Sequence, residues 1–386
     1  MPGFLRGFAA LSLVWGCGGS SAPSDAATAP DAALADGAMD ARPDAGGPAD
    51  AGADATPDAH ADVGPDASPD AGPTSCPPVP RCDGPPPDPG SAEPWRHPVR
   101  TAIATATGAP RHRGQDLFVG EGEDVWALAK FAYGFGDDDL KDEDVEVWLD
   151  EGCTGSWTSL GRVATTEDGD HGTVLGVEDT GGWVFLRHGP LPVGRHRLHF
   201  VVRGDLSTAD QWVQVLPAGA RVVVTDVDGT LTESETAEWR TLLSGPSPAV
   251  QPGAPEALTA LAERGYFLFY LTARPHWLHA RTHEWIAERD LPPGVVHTTL
   301  GFTGALGSAA LDFKVGELAD LADRLGIVPT YAIGNKESDA EAFQTAGVAP
   351  ERRLLYQLDG NLFGGVRFDD YGTLADEFRS LPPVCL

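Results

Sequence analysis

The chain has 386 residues, with 57 acidic against 27 basic side chains and a net charge of −30. That acidity argues against a nucleic-acid-binding protein, which needs a basic face to displace counterions from phosphates. A hydrophobic content of 41% with 10 Trp and 15 Phe is enough for a sizeable core, and the length allows two domains or three.

In chain order, the first segment reads as an export signal. Arg6 supplies the positive region, and Gly7 to Trp15 is an apolar run of about nine residues, well short of the roughly 20 needed to span a bilayer as a helix. The run ends in Gly16-Cys17-Gly18-Gly19, which resembles a bacterial lipobox. Residues 1–17 are therefore expected to be a lipoprotein-type signal peptide, with Cys17 the lipidation site. That implies an exported lipoprotein anchored to the membrane at the bacterial periplasmic face or cell surface. The alternative is an ordinary signal peptide whose Cys17 is discarded.

Residues 18–94 read as a disordered linker rich in Pro, Asp, Ala and Gly. Between Ser20 and Ser75 stand eleven Asp, one Arg and no Lys or Glu, so this stretch alone carries a third of the net charge. Pro-Asp-Ala units recur at Pro30, Pro43, Pro57, Pro65 and Pro69. Such a segment buries too little surface to offset its chain entropy, and proline with like charges extends it into a tether. The Asp spacing lacks the EF-hand pattern of a calcium loop. Cys76 and Cys82 flank a short Pro-rich stretch and could close a small loop, whereas Cys153 and Cys385 pair only if the fold brings them together.

From 95 to 217 the pattern is short period-two apolar runs: Asp124–Tyr133, Val145–Leu149, Trp157–Val163, Arg197–Val202 and Trp212–Leu216, separated by Gly- and Asp-rich turns. This predicts an all-β sandwich without a convincing helix and without a cluster of acid, base or nucleophile, hence a supporting or recognition module.

From 218 to 386 strands alternate with helices. Arg221–Thr225 and Tyr266–Leu271 are continuous apolar runs, as buried parallel strands should be, and Tyr331-Ala332-Ile333 is a third. Helices are predicted over Pro255–Arg264, His276–Asp290 and Phe313–Leu325. The expected domain is an α/β, Rossmann-like parallel sheet with helices on both faces, whose chemistry sits beyond the carboxyl ends of the strands.

Those strand ends are unusually functional. Asp226-Val227-Asp228-Gly229-Thr230 follows the first strand, Thr272-Ala273-Arg274-Pro275 the second and Gly334 to Asp339 (GNKESD) the third, while Lys314 opens a helix. These types suit phosphoryl transfer: Asp226 to attack phosphorus, Asp228 to protonate the leaving oxygen and then activate water, Thr272 and Lys314 to hold the phosphoryl oxygens. Asp226, Asp339 and the backbone carbonyl of Asp228 make an all-oxygen set suited to Mg²⁺.

The combination resembles the haloacid-dehalogenase (HAD) superfamily of phosphatases. The stretches Asp226–Thr232, Tyr270–Pro275 and Gly334–Asp339 look like its lipin-type branch, the Mg²⁺-dependent phosphatidate phosphatases. The run His199 to Thr232 is similar to the C-terminal, lipin-like region of membrane-associated phosphatidylinositol transfer proteins of the retinal-degeneration-B type, where an Ig-like sandwich precedes that region. The resemblance implies a lipid phosphate, phosphatidic acid first, as ligand. It implies Arg274, Gly229, Thr230 and Asn335 on the substrate and Asp226, Asp228 and Asp339 around the metal. In the transfer-protein branch the nucleophile motif is degraded and lipid is sensed without hydrolysis; here both Asp226 and Asp228 stand. Rival readings are a non-catalytic phosphatidate-binding module and a phosphatase for a soluble phosphomonoester.

About forty residues separate the first two motifs and about forty separate Thr272 from Lys314, too few for a large lid. An open site suits a phosphate projecting from a bilayer. His276, His279, Arg281 and His283 follow Arg274 and are candidates to read a headgroup, a solvated helix face being the other reading.

Overall fold

The period-two runs between 113 and 216 pair into a two-sheet sandwich. A computed structural model describes residues 75–233 and 247–386 of the chain. In it, β1 (Arg113–Gly114), β3 (Asp124–Lys130) and β8 (Trp183–Pro190) form one antiparallel sheet. The other sheet runs β2 (Leu117–Gly120), β10 (Thr208–Leu216), β9 (Gly194–Val202), β6 (Asp144–Asp150) and β7 (Trp157–Ala164). A small hairpin, β4 (Ala132–Tyr133) with β5 (Asp138–Asp139), closes one end. The inward-facing residues, among them Val125, Ala127, Val147, Leu198 and Phe200, are all fully buried in one core, as alternation across two packed sheets requires. One helix was not expected: α1 (Pro98–Thr105) starts with Pro in its first turn and buries only Thr101, so no apolar stripe betrays it.

The second half is a six-stranded parallel sheet. Its order is β13 (Gly294–Thr299), β12 (Tyr266–Pro275), β11 (Arg221–Thr225), β14 (Tyr331–Gly334), β15 (Arg353–Tyr356) and β16 (Val366–Phe368). In chain order this is 3-2-1-4-5-6, the doubly wound arrangement, with its switch point between β11 and β14. Val223 packs on one side with α2 (Ala254–Glu263) and α6 (Tyr371–Ser380), while Val222 and Val224 pack on the other with α4 (Ser308–Leu325) and α5 (Glu337–Thr345). Strands buried on both faces explain the unbroken apolar runs in the sequence. Phe118 of β2 and Leu216 of β10 join the second of these cores, so the sandwich packs directly on the α/β domain.

Two sequence expectations change here. Residues 75–94 do not continue the linker. The guanidinium of Arg203 donates to the carbonyls of Pro89 and Ser91, Arg197 donates to those of Cys82 and Gly84, and the Trp157 indole donates to Pro85. The cysteines also pair differently from the small loop considered above: Cys76 joins Cys385 and Cys82 joins Cys153, with Cα separations of 5.2 and 4.7 Å. The reason is tertiary. The Cys76 amide donates to Glu263 and the Val384 amide to Arg264, which brings both ends of the described chain to the turn after α2. The lipidation site Cys17, the signal and the Pro-Asp-Ala tract lie outside the described residues.

Candidate functional site

The carboxyl ends of β11, β12 and β14 meet at the switch point, and the motif residues gather there. Asp226 follows β11 directly, its amide donating to Ile333 of β14. Its Oδ1 accepts from Lys314 Nζ at 2.6 Å and its Oδ2 lies 2.9 Å from the Thr230 hydroxyl. Lys314 reaches the rim because α4 begins at Ser308, five residues earlier than expected; long helical side chains point back toward the N-terminus, here toward the strand ends. The same ammonium donates to Asp339 Oδ1 at 2.5 Å. Asp339 is the third residue of α5, and its Oδ2 accepts from the Asn335 and Lys336 amides at 3.0 Å each. It thus caps the helix start while facing the site. Gly334 permits this approach: a Cβ there would lie 2.5 Å from the Cβ of Asp339.

Asp228 occupies a separate subsite. Its carboxylate accepts 2.7 Å and 3.0 Å bonds from Arg274 Nη2 and Nε and a 2.8 Å bond from the Thr272 hydroxyl. Arg274 is itself buried and anchored to Thr282 of α3 (His279–Glu288). β12 extends through Pro275, further than the apolar run indicated, and its register with β13 shifts between Leu271 and Pro275. That irregularity is what re-aims Thr272 and Arg274 at the site. Gly229 takes a positive φ of 80° in the turn just after Asp228, with its amide donating to Thr232. Asn335 Oδ1 lies 3.1 Å from the Thr230 hydroxyl.

These groups line a cavity of about 210 Å³. Its floor holds Asp226, Asp228, Arg274 and Lys314; Lys336 and Ser338 add to the wall. Sequence reasoning quoted the last two inside GNKESD but gave them no role. It missed the loop 303–307, which closes one side and carries Leu306, 81% exposed. Phe302, just before this loop, is also exposed and meets the exposed Phe135 edge-on, so exposed apolar side chains flank the loop that carries Leu306.

Electrostatically the site crowds carboxylates around shared cations. Three carboxylates, Asp226, Asp228 and Asp339, face two buried cations, Lys314 and Arg274, with Lys336 on the cavity wall. Burial pushes Asp226 up to about 6; Lys314 opposes the rise, whereas Asp339 and Asp228 add to it. Burial disfavours the Lys314 ammonium, yet Asp226 and Asp339 more than offset that and raise it. The Asp226 and Asp339 carboxylates side by side, with the Asp228 carbonyl in the same turn, make an all-oxygen set that fits a hard divalent cation. The Asp228 carboxylate does not join this set, because Arg274 and Thr272 hold it.

The histidines after Arg274 do not serve the cavity. His276 stacks on Trp183 and meets Arg113 of the sandwich; His279 and His283 turn toward Asp116. The headgroup reading is therefore corrected for the three histidines, which meet the sandwich at a domain seam, while Arg281 pairs with Glu284 along its own helix.

Two family models match. Residues 223–356 match "PITM 1-3, LNS2 domain" and residues 110–215 match "PITM 1-3, beta-sandwich domain". The first is a HAD-like, phosphatase-related fold. The chain is 29% identical to "Protein retinal degeneration B" of Drosophila melanogaster over 258 residues, which is 66% of this chain and 19% of the fly protein. It is 28% identical over 267 residues to human "Membrane-associated phosphatidylinositol transfer protein 1", 68% of this chain and 20% of the human one. Mouse "Membrane-associated phosphatidylinositol transfer protein 2" is 27% identical over 260 residues, 67% and 18% of the two chains. The chain thus spans about a fifth of the length of these relatives. The M1 domain of titin overlaps 30% of the chain at 16% identity with a TM-score of 0.17, a likeness that carries no argument.

These matches correct one expectation outright. A bacterial exported lipoprotein anchored through Cys17 has no counterpart among the relatives, which are membrane-associated proteins of fly, mouse and human. No described helix is long and apolar enough to cross a membrane.

Proposed function

We propose that the α/β domain is a Mg²⁺-dependent phosphomonoesterase of the lipin type, with a lipid phosphate, phosphatidic acid first, as substrate. The observation that carries this reading is the pairing of two aspartates two residues apart, Asp226 against Lys314 and Asp228 against Arg274, around one cavity at the switch point. In the first step the Asp226 carboxylate attacks phosphorus and the bond to the alkoxide oxygen breaks, the leaving oxygen taking a proton from Asp228. Asp228 then takes a proton from water, whose oxygen attacks the phosphorus; the bond to Asp226 breaks and inorganic phosphate leaves. Lys314 holds Asp226 in place and offsets charge on the phosphoryl oxygens. Arg274 exchanges Asp228 for the incoming phosphate, which frees Asp228 for proton transfer. Bound Mg²⁺, held by Asp226, Asp339 and the Asp228 carbonyl, supplies the positive charge that lets an anion approach a dianion.

The lipid assignment is supported by the exposed Leu306 on the cavity wall, with the exposed Phe302 next to its loop, and by the names of the matched relatives, which are lipid transfer proteins. The same names favour a second reading, lipid-phosphate binding without turnover. One experiment separates them: phosphate release from phosphatidate vesicles and from a soluble phosphomonoester, with Mg²⁺ or with EDTA, for the parent protein and Asp226→Asn. Turnover on vesicles that needs Mg²⁺ and Asp226 supports the enzyme. Vesicle binding with no turnover on either substrate establishes the binding module instead, and turnover on the soluble ester alone removes the lipid assignment.

A further inference from the structure

The seam between the sandwich and the α/β domain contains a second cluster with its own chemistry. Asp116, fully buried in the connection between β1 and β2, extends its carboxylate to two histidines one turn apart on α3. His283 Nε2 lies 2.8 Å from Asp116 Oδ2, and His279 Nε2 lies 3.3 Å from Oδ1. One ligating atom from each of the three residues lies within 4.8 Å of the others, and no other such group of three occurs among the described residues.

Three features distinguish this cluster from an ordinary buried hydrogen-bonded set. First, His279 is 1% exposed and its Nε2 sits 3.3 Å from Asp116 Oδ1, a contact short of good hydrogen-bonding geometry, while its Nδ1 has no hydrogen-bond partner among the described residues. A buried imidazole so poorly satisfied is costly unless something else ligates it. Second, the carboxylate is oriented by donors of its own, as ligating carboxylates are. The Asp116 carboxylate accepts from the Trp212 amide at 2.9 Å and the Val296 amide at 3.0 Å, which fixes its plane, and the His283 ring stacks on the Trp212 indole at 3.9 Å. Third, His283 and Trp212 also line a cavity of about 700 Å³, an entry path for an ion and its water.

We propose that Asp116, His279 and His283 form a metal site for a borderline divalent cation, zinc by preference, that fastens the sandwich to the α/β domain. Two imidazoles at i and i+4 on one helix face with a single carboxylate are a nitrogen-rich set, which suits Zn²⁺ rather than the oxygen-seeking Mg²⁺. Three protein ligands leave one tetrahedral position. With zinc, Asp116 and two neutral imidazoles, the site carries one net positive charge beside the buried Arg195 guanidinium, whose charge Asp116 otherwise balances. The fourth ligand is therefore an anion, hydroxide or a carboxylate, entering from the cavity. The site is distinct from the phosphate cavity, because none of its three residues lines that space.

The test uses the full chain stripped with EDTA and titrated with Co²⁺, then with Zn²⁺. Expected are one equivalent of Co²⁺ with the intense visible d–d absorption of a tetrahedral site, its displacement by Zn²⁺, and a rise in Tm on adding Zn²⁺. Asp226→Asn should keep all three. His279→Gln and His283→Gln should each lose the absorption and the Tm rise, with the far-ultraviolet circular dichroism of the parent. Should those variants misfold, X-ray absorption of the zinc-loaded parent decides the matter by itself: the inference requires a shell of two imidazoles plus oxygen and no sulfur. Absence of a tetrahedral Co²⁺ signal, its persistence in the His279→Gln/His283→Gln double variant, its loss in Asp226→Asn, or a shell without imidazole would each overturn it.

Discussion

Replacing Asp226 by Asn should make the protein more stable while removing its activity. The Asp226 carboxyl is pushed up to about 6 from the ordinary value of 3.8, first by burial and then by Asp339 and Asp228, against the pull of Lys314. Its folded-state value thus lies above its unfolded one. The sign follows: the folded state holds the proton more tightly, so nothing is lost below about pH 4, and stability falls as the pH rises through 6. At about 1.36 kcal/mol per unit, the charged form costs the folded protein on the order of 3 kcal/mol at pH 7. Asn keeps the shape and loses the charge, while Lys314 retains Asp339 at 2.5 Å. Part of the gain is offset by a weaker bond to Lys314, leaving an expected rise of about 1–3 kcal/mol. Urea titrations in EDTA at pH 7 and pH 4 measure it: the variant should lead at pH 7 and draw level near pH 4. Mg²⁺ should narrow the gap at pH 7 by stabilising the parent more. If Asp226→Asn instead loses about 3–5 kcal/mol at pH 7, as removing one partner of a well-compensated buried ion pair does, Lys314 outweighs burial and the neighbouring carboxylates and the Asp226 carboxyl is not raised.

Other perturbations reach the remaining parts of the account. Arg274→Ala should lower kcat/KM on a lipid phosphate about 100-fold, roughly 2.7 kcal/mol of transition-state stabilisation, and Arg274→Lys should restore little because the fork on Asp228 is lost; full rescue by Lys would contradict a guanidinium that serves both Asp228 and phosphate. Phe302→Asp with Leu306→Asp should depress turnover on vesicles and leave a soluble ester unaffected, and equal loss on both would refute a membrane-facing rim. Cys76→Ser opens a bridge between residues 309 apart and should cost about 2–5 kcal/mol in urea titrations under oxidising conditions. An unchanged midpoint would mean that this bridge does not form.

The parts of the fold legible in the sequence were those whose burial is two-sided. Arg221–Thr225 was found to its ends because every residue after Arg221 is buried, and the texture of Tyr266–Leu271 and Tyr331–Ile333 is the same. Two-sided burial was not sufficient, since β13 is buried throughout and was not foreseen. Other elements that escaped are defined by partners elsewhere in the chain. β15 and β16 are four and three residues long and exist by pairing with neighbours in the sheet. The extension of β12 past Leu271 depends on a register shift against β13. For the site, the aspartates, Thr272, Arg274, Lys314 and Asn335 were readable from types at strand ends, and the structure brings them to one place. That Asp228 faces Arg274 while Asp226 shares Lys314 with Asp339 was not readable, since it turns on side-chain direction. His279 and His283 looked like polar residues on a solvated or headgroup-reading face. Only the return of Asp116, 167 residues upstream of His283 in the chain, buries them.

The central claim is that Asp226 is a nucleophile. Acid quenching of the Mg²⁺-loaded protein during reaction with phosphatidate vesicles, followed by peptide mass spectrometry, tests it most directly. A phosphoryl group is expected on the carboxylate of Asp226, labile to hydroxylamine and absent in Asp226→Asn. Steady phosphate release with no phosphorylated Asp226, or release undiminished in Asp226→Asn, would contradict it.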